Sequence, residues 1–189
     1  MKSSLTAFDI CILIILRTAN ICNFQLGKIE KVIERPGAKT FLIAPDAEKG
    51  CSALAYFRAG QYISVALDIG EARLCKPYTI ACGPKAAMGE TGNTYALTVK
   101  ESARGFGSAY ILNNWVQGTE VLFSAPLGDF YYNSLRDAKI VIAIAGGSGI
   151  TPFLSMAEAI ADRKFNWVHP CSTYPLSNIE IEVFPLLEC

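Results

Sequence analysis

Val141 Ile142 Ala143 Ile144 Ala145 Gly146 Gly147 Ser148 Gly149 Ile150 Thr151 Pro152 is an apolar run that empties into glycines and then into residues with helical spacing. The stretch 139–145 is too apolar to have a wet face, which predicts a parallel strand buried on both sides, followed by a helix over 152–163. Glycines between such a strand and a helix suit a turn that grips a nucleotide, because the helix start offers unpaired N–H groups to an anion. The GxGxxG spacing is absent, so Thr151 and Pro152 carry the discrimination. Thr151 can offer its hydroxyl to a ring above the strand end, and Pro152 suits the first turn of a helix. This is the opening of a doubly wound α/β unit.

Upstream the pattern is different. Residues 24–44 alternate loosely around the breaker Pro36 Gly37 and read as two strands and a turn. Further strands are expected at 61–67, 78–82, 95–100 and 120–124, each bounded by Gly, Pro, Asn or Asp, which predicts an antiparallel sandwich or a closed barrel. Residues 109–115 have helical spacing and are expected to cap one barrel mouth. At the other end, 165–189 carries Pro170, Pro175 and Pro185 and does not continue the strand-helix pattern. One strand and one helix leave their other faces in water, so the chain reads as truncated, or as carrying a foreign tail. The expected units are an N-terminal extension (1–23), a barrel (24–137), the first strand, loop and helix of a nucleotide-binding unit (138–164) and an atypical tail (165–189).

The bulk properties narrow the partners. At 189 residues the chain has room for one domain of ordinary size and part of another. Seventeen basic residues balance seventeen acidic ones, so there is no footprint for nucleic acid or anionic lipid. Seven scattered cysteines without a CxxC pair fit neither a disulfide framework nor a metal cradle, and read as reduced cytoplasmic thiols. The apolar run 8–16 is interrupted by Asp9 and is far below the roughly 20 residues that a membrane span needs. It reads as a core or docking helix.

Two short cassettes carry chemistry. A flavin needs a polar handle for its diphosphate, a flat apolar surface for its ring and a hydrogen-bonding group near the atom that accepts hydride. Lys76, Tyr78 and Thr79 can supply these in that order. On a strand Lys76 and Tyr78 share one face and Thr79 takes the other, while Pro77 demands a place where a ladder bond can be missed. In Gly105 Phe106 Gly107 Ser108 the glycines let the backbone approach a phosphate and Ser108 adds a hydroxyl at a helix start.

Taken in order, Lys76 Pro77 Tyr78 Thr79, Thr98 Val99 Lys100, Gly105 Phe106 Gly107 Ser108, Pro126 Leu127 Gly128 Asp129 Phe130 and Gly146 to Pro152 resemble the ferredoxin-NADP reductase superfamily. Ala59 Gly60 Gln61 Tyr62 resembles a barrel strand of the same family. The resemblance implies a mainly β fold: a six-stranded antiparallel Greek-key flavin barrel followed by an α/β nucleotide-binding domain, here incomplete. It implies FAD, with FMN as the variant, and NAD(P)H as substrate. By that likeness Lys76 takes an arginine's place at the flavin diphosphate, Pro77 belongs to the same cassette, Tyr78 packs on the isoalloxazine and Thr79 bonds near its reactive nitrogen. Thr98, Val99 and Lys100 line the nucleotide half, Gly105, Gly107 and Ser108 hold the diphosphate, and Gly146, Gly147, Gly149 and Thr151 meet the nicotinamide. Tyr78, Thr79 and Thr151 are thus the implied catalytic residues. Lysine at 76 replaces a planar fork by a point charge.

The implied activity is hydride transfer from NAD(P)H to FAD and electron transfer onward to an iron-sulfur or haem protein. The alternatives are a flavin-holding electron-transfer subunit without its own NAD(P)H activity, and a shortened copy that binds flavin but is catalytically incomplete. No acid-base histidine is required, and the sole histidine, His169, falls in the tail.

Overall fold

The computed structural model describes residues 24–88, 93–102, 105–133, 135–138 and 140–162, together with the backbone of 180–185. The apolar run 8–16 and His169 lie outside the described residues.

Strands β1 (Phe24–Arg35), β2 (Ala38–Pro45), β3 (Tyr62–Ile69), β4 (Ala72–Thr79), β5 (Tyr95–Lys100) and β6 (Glu120–Ser124) form one antiparallel sheet in the order β4-β3-β6-β1-β2-β5. The sheet curls until its two edges meet. Ile80, just past β4, bridges Leu97 of β5, and the Ala81 N–H donates to the Ala96 carbonyl at 2.7 Å. The non-sequential neighbours β1 with β6, β3 with β6 and β2 with β5 are Greek-key windings, as expected from the resemblance.

Turn chemistry sets the hairpins. Gly37 and Gly70 take φ of +63° and +62° at the tips of β1–β2 and β3–β4, a conformation that costs residues with a Cβ. Beside the second tip Asp68 and Arg73 stand opposite each other and make a two-pronged ion pair at 2.6 and 2.8 Å. The guanidinium holds the Asp68 carboxyl below its ordinary range.

Period-two alternation fills the barrel. Ile63, Val65 and Leu67 of β3, Tyr95, Leu97 and Val99 of β5, and Phe41 and Ile43 of β2 are all buried. Each fully buried aliphatic or aromatic side chain of this kind contributes roughly 1.5–3 kcal/mol. Helix α1 (Phe106–Asn114) closes one mouth with Ile111 and with Trp115 at its C-terminal cap, whose ring meets Phe41 edge-on at 5.3 Å. Every buried side-chain polar atom among the described residues has a hydrogen-bond partner.

Beyond the barrel come β7 (Ile140–Ala145), a single 3-10 turn over 147–150, helix α2 (Thr151–Ala161) and β8 (Glu180–Pro185), which pairs parallel to β7. Four expectations need adjustment. The strand expected at 78–82 is the end of β4 plus the bridge to β5, because the ladder changes partner at Ile80. The helix expected at 109–115 begins three residues earlier, at Phe106, where the Ala109 N–H finds the Gly105 carbonyl at 2.9 Å. The strand expected to be buried on both sides has one wet face: Ala143 and Ala145 are buried, but Ile142 and Ile144 are 66% and 64% exposed. The tail does supply a strand next to β7, where Glu180 and Glu182 alternate with apolar residues in a pattern unlike the continuous run of β7.

Two joints tie α2 to the barrel. One is apolar: Phe130 and Phe153 meet edge-on at 5.7 Å, and Gly60 lies so close that a methyl there would stand 2.1 Å from the Phe130 carbonyl oxygen and 2.7 Å from Met156 Cε. Nearby, Arg58 and Arg136 flank the Tyr131 ring at 4.5 and 5.6 Å. The other joint is polar and runs along residues 82–85.

Candidate functional site

The register of β3 against β4 fixes the faces of the first cassette. Lys76 stands opposite Val65 and Tyr78 opposite Ile63, so both share the face that lines the barrel, whereas Thr79 stands opposite Tyr62 on the other face. Tyr78 is half-buried against the core, and that burial pushes its phenol up. Lys76 is exposed, and its stem crosses α1: a methyl on Gly107 would stand 3.4 Å from Lys76 Cγ and 3.7 Å from Cε. The two cassettes are therefore neighbours in space.

Pro77 is explained by the same ladder. Opposite it, Ser64 donates its N–H to Ser124 Oγ at 2.9 Å, away from β4, so this is a pair without ladder bonds between β3 and β4. The N–H that proline lacks would have pointed to the β5 side, where β4 and β5 pair only at the Ile80–Leu97 bridge among the described residues. Thr79 has the same phase. Its partner Tyr62 exchanges both backbone bonds with Leu127, at 3.0 and 2.8 Å, which leaves the Thr79 N–H facing the β5 side as well.

The start of α1 is the second element. Among the described residues Ala109 is the first of α1 whose N–H finds a helical carbonyl, and the N-cap Gly105 brings no side chain to the N–H groups of residues 106–108. Ser108 Oγ donates to the Gly105 carbonyl at 2.8 Å, and a methyl on Gly105 would fall 2.3 Å from that hydroxyl. A lysine stem laid over uncapped helical N–H groups suits a phosphate-bearing ligand.

On β5 the three expected residues separate. Thr98 and Lys100 face outward, and Thr98 Oγ1 shares a hydrogen bond with Thr40 Oγ1 at 2.9 Å. Val99 is 1% exposed and belongs to the core, so only its backbone can meet a ligand. Period-two alternation carried the signal for this split.

The glycine turn lies against β5, the strand that also receives the bridge from Ile80. Gly146, Gly147 and Gly149 are exposed; Gly147 takes φ of +53°, and a methyl on Gly149 would meet nothing within 4 Å. Thr151 is buried and donates its hydroxyl to the Ser148 carbonyl at 3.0 Å, so towards a ligand it can only accept. Reading from sequence missed Ser155 and Glu158, which follow Thr151 by four and seven residues on the same face of α2.

Cys82 lies just past the cassette, and burial pushes its thiol up to about 11. Cys75 is exposed on β4. Iodoacetamide at neutral pH, read by peptide mass mapping, is expected to modify Cys75 and spare Cys82 until the pH nears 11. Because the folded state holds that proton more tightly than the unfolded chain, this group's contribution makes stability fall as the pH rises from the ordinary 9.0 towards about 11.

The residues present fit a flavin nucleotide: a cation over an uncapped helix start, a half-buried aromatic face and a free-facing backbone N–H adjoin one another. No family model matches the chain. It is 34% identical over 106 residues to the flavohemoprotein of Xylella fastidiosa, an alignment covering 56% of this chain and 25% of that one. Its fold is similar to phthalate dioxygenase reductase, a structure for electron transfer from pyridine nucleotides to a 2Fe-2S centre (TM-score 0.66, 23% identity, 86% of this chain and 43% of that one). It is also similar to a ferredoxin NADP+ reductase from Neisseria gonorrhoeae with bound FAD and NADP (TM-score 0.62, 21% identity, 86% and 56%). The chain spans about a quarter to a third of the length of the curated relatives it matches. Among the described residues no helix is long and apolar enough to cross a membrane. The six-stranded barrel is thus a fold that the chain shares with these reductases, and part of its length is similar in sequence to the flavohemoprotein.

Proposed function

We propose that the chain is the flavin-binding part of an oxidoreductase that takes hydride from NAD(P)H and passes electrons to an iron-sulfur or haem protein. The observation that carries this is the convergence of Lys76 with Gly107, which joins the Lys-Pro-Tyr-Thr cassette to the glycine-serine helix start. The relatives' names and structures support it: a flavohemoprotein, a reductase acting from pyridine nucleotides to a 2Fe-2S centre, and a reductase with bound FAD and NADP. In this proposal residues 24–137 hold FAD and 138–164 begin the part that meets the nicotinamide.

When bound, the flavin supplies the exchange of a two-electron hydride for single electrons. The chain binds and orients it. Lys76 and the N–H groups at the start of α1 neutralise the diphosphate, Ser108 through its backbone N–H because its hydroxyl is given to the Gly105 carbonyl, while Gly105 and Gly107 keep Cβ atoms out of the way. Tyr78 offers its ring for stacking, worth roughly 1 kcal/mol beyond burial. Thr79 presents its backbone N–H, and its hydroxyl, to the edge of the ring. Thr98 and Lys100 flank the nucleotide half, with Val99 contributing backbone only. Gly146, Gly147 and Gly149 leave open space for the approaching nicotinamide, and Thr151 accepts a hydrogen bond beside it.

The test is direct. The full chain mixed with FAD and desalted is expected to be yellow and to bleach on addition of NADH or NADPH under argon. A folded, colourless protein that ignores FAD would overturn the proposal. Bleaching only when an iron-sulfur or haem protein and its own reductant are added would assign the electron-transfer-subunit alternative instead.

A further inference from the structure

Helix α2 carries Thr151, Ser155 and Glu158, with Asp162 at its C-terminal cap, at intervals of four, three and four residues, which sets the three helical ones within an arc of about 60° at 3.6 residues per turn. Such a polar stripe on a helix pressed against a barrel needs partners, and it has them. Ser155, fully buried, donates Oγ–H to the Cys82 carbonyl at 2.6 Å. Glu158 Oε2 accepts the Gly83 N–H at 2.7 Å, and Lys85 reaches Asp162 at 3.4 Å. Successive turns of α2 are thus stitched to successive residues of the segment that leaves the Lys-Pro-Tyr-Thr cassette, with only Ile80 and Ala81 between Thr79 and Cys82.

Gly83 belongs to the stitch. A methyl there would stand 3.0 Å from Glu158 Cβ, so the absence of a side chain allows the backbones to close up. The apolar joint around Gly60, Phe130, Phe153 and Met156 presses the helix on the barrel but, being non-directional, does not fix its rotation or its slide along its axis. Directional hydrogen bonds do. Their effect is exerted at the helix start, where the glycine turn and Thr151 stand on the same stripe.

We infer that Ser155 and Glu158 are positioning residues, which set the distance between the glycine turn that meets the nicotinamide and the Tyr78–Thr79 cassette that meets the flavin ring. The inference rests on the flavoreductase function proposed above. Neither residue touches a ligand: each acts through the Cys82–Gly83 backbone. Hydride transfer is steep in distance, and a displacement of about 1 Å costs up to about 100-fold in rate. Flavin affinity, set on the barrel by Lys76, Tyr78 and α1, is insensitive to the same displacement.

The experiment compares full-length Ser155→Ala, Glu158→Ala and Glu158→Gln with the parent. Three quantities are read: the dissociation constant for FAD by fluorescence quenching, the rate of flavin bleaching at saturating NADH or NADPH, and the rate of iodoacetamide labelling at Cys82. Ser155→Ala and Glu158→Ala are expected to bleach about 10-fold more slowly, with FAD affinity within about twofold of the parent. Cys82 labelling should rise about 10-fold in both as the helix loosens over it. Glu158→Gln retains an oxygen that accepts the Gly83 N–H and should restore both rates to within about twofold. Unchanged bleaching in both alanine variants, FAD affinity lost in step with bleaching, or a glutamine variant no better than alanine overturns the positioning role. A parent that binds no FAD, or binds it and never bleaches, overturns the proposed function and the positioning role with it, while Cys82 labelling still reports whether Ser155 and Glu158 hold the helix.

Discussion

Replacing Gly60 by alanine is expected to destabilise the fold by about 4 kcal/mol, the range of the severest single substitutions. Two separate effects combine there. The residue has φ of +104°, which an L side chain rarely adopts, and its new methyl would stand 2.1 Å from the Phe130 carbonyl oxygen. Backbone cannot rotate away as a side chain can, so the segment after β6 must shift and the seat of Met156 on the barrel goes with it. Gly50 separates the two effects, since it has φ of +85° but nothing within 4 Å of its would-be Cβ. Gly50→Ala should cost only the conformational part, about 1 kcal/mol. Thermal unfolding followed by circular dichroism should show the Gly60 variant melting roughly 10 °C below the parent and the Gly50 variant within a few degrees. If the two variants melt together, the close approach of Gly60 to Phe130 does not exist in solution.

The second large effect is on flavin binding. Lys76→Glu is expected to weaken FAD about 100-fold, since it removes a charge-assisted contact of about 1.5–3 kcal/mol and sets a carboxylate over the same helix start. Lys76→Arg should strengthen it several-fold, because a planar fork reaches two phosphate oxygens at once. Tyr78→Ala should weaken it about 10-fold through lost burial and stacking, and Tyr78→Phe hardly at all. Equilibrium titrations at two salt concentrations check the set. The glutamate penalty should shrink as ionic strength rises, and the tyrosine effect should not. Equal FAD affinity in Lys76→Glu and the parent would remove Lys76 from the site.

Much of this was legible in the sequence, and the failures have physical causes. Pro36 Gly37 announced the first hairpin because only a short list of residues turns a chain there, and the glycines before Thr151 announced a strand-to-helix turn for the same reason. The end of β4 was misjudged because Ile80 changes partner from one strand to another, and nothing in residue type marks such a handover. Ile142 and Ile144 read as buried because composition records what a surface would prefer, whereas exposure depends on what covers it. Val99 is instructive in the other direction. Its neighbours Thr98 and Lys100 alternate with Leu97 and Val99 in strict period two, so the strand pattern alone separates the outward pair from the core pair. Ser155 and Glu158 escaped notice since polar residues on a helix ordinarily face water, and their hydrogen bonds to 82–83 are a fact of tertiary docking.

Pro77 has a further consequence for how the barrel lives without its ligand. A donor missing at that point of β4 means the seam beside β5 lacks a main-chain rung there, however the barrel breathes. The opening is thus written into the covalent chemistry of an imino acid. A guest arriving there has no ladder to unzip, and a neighbouring molecule's strand finds an incomplete template for pairing.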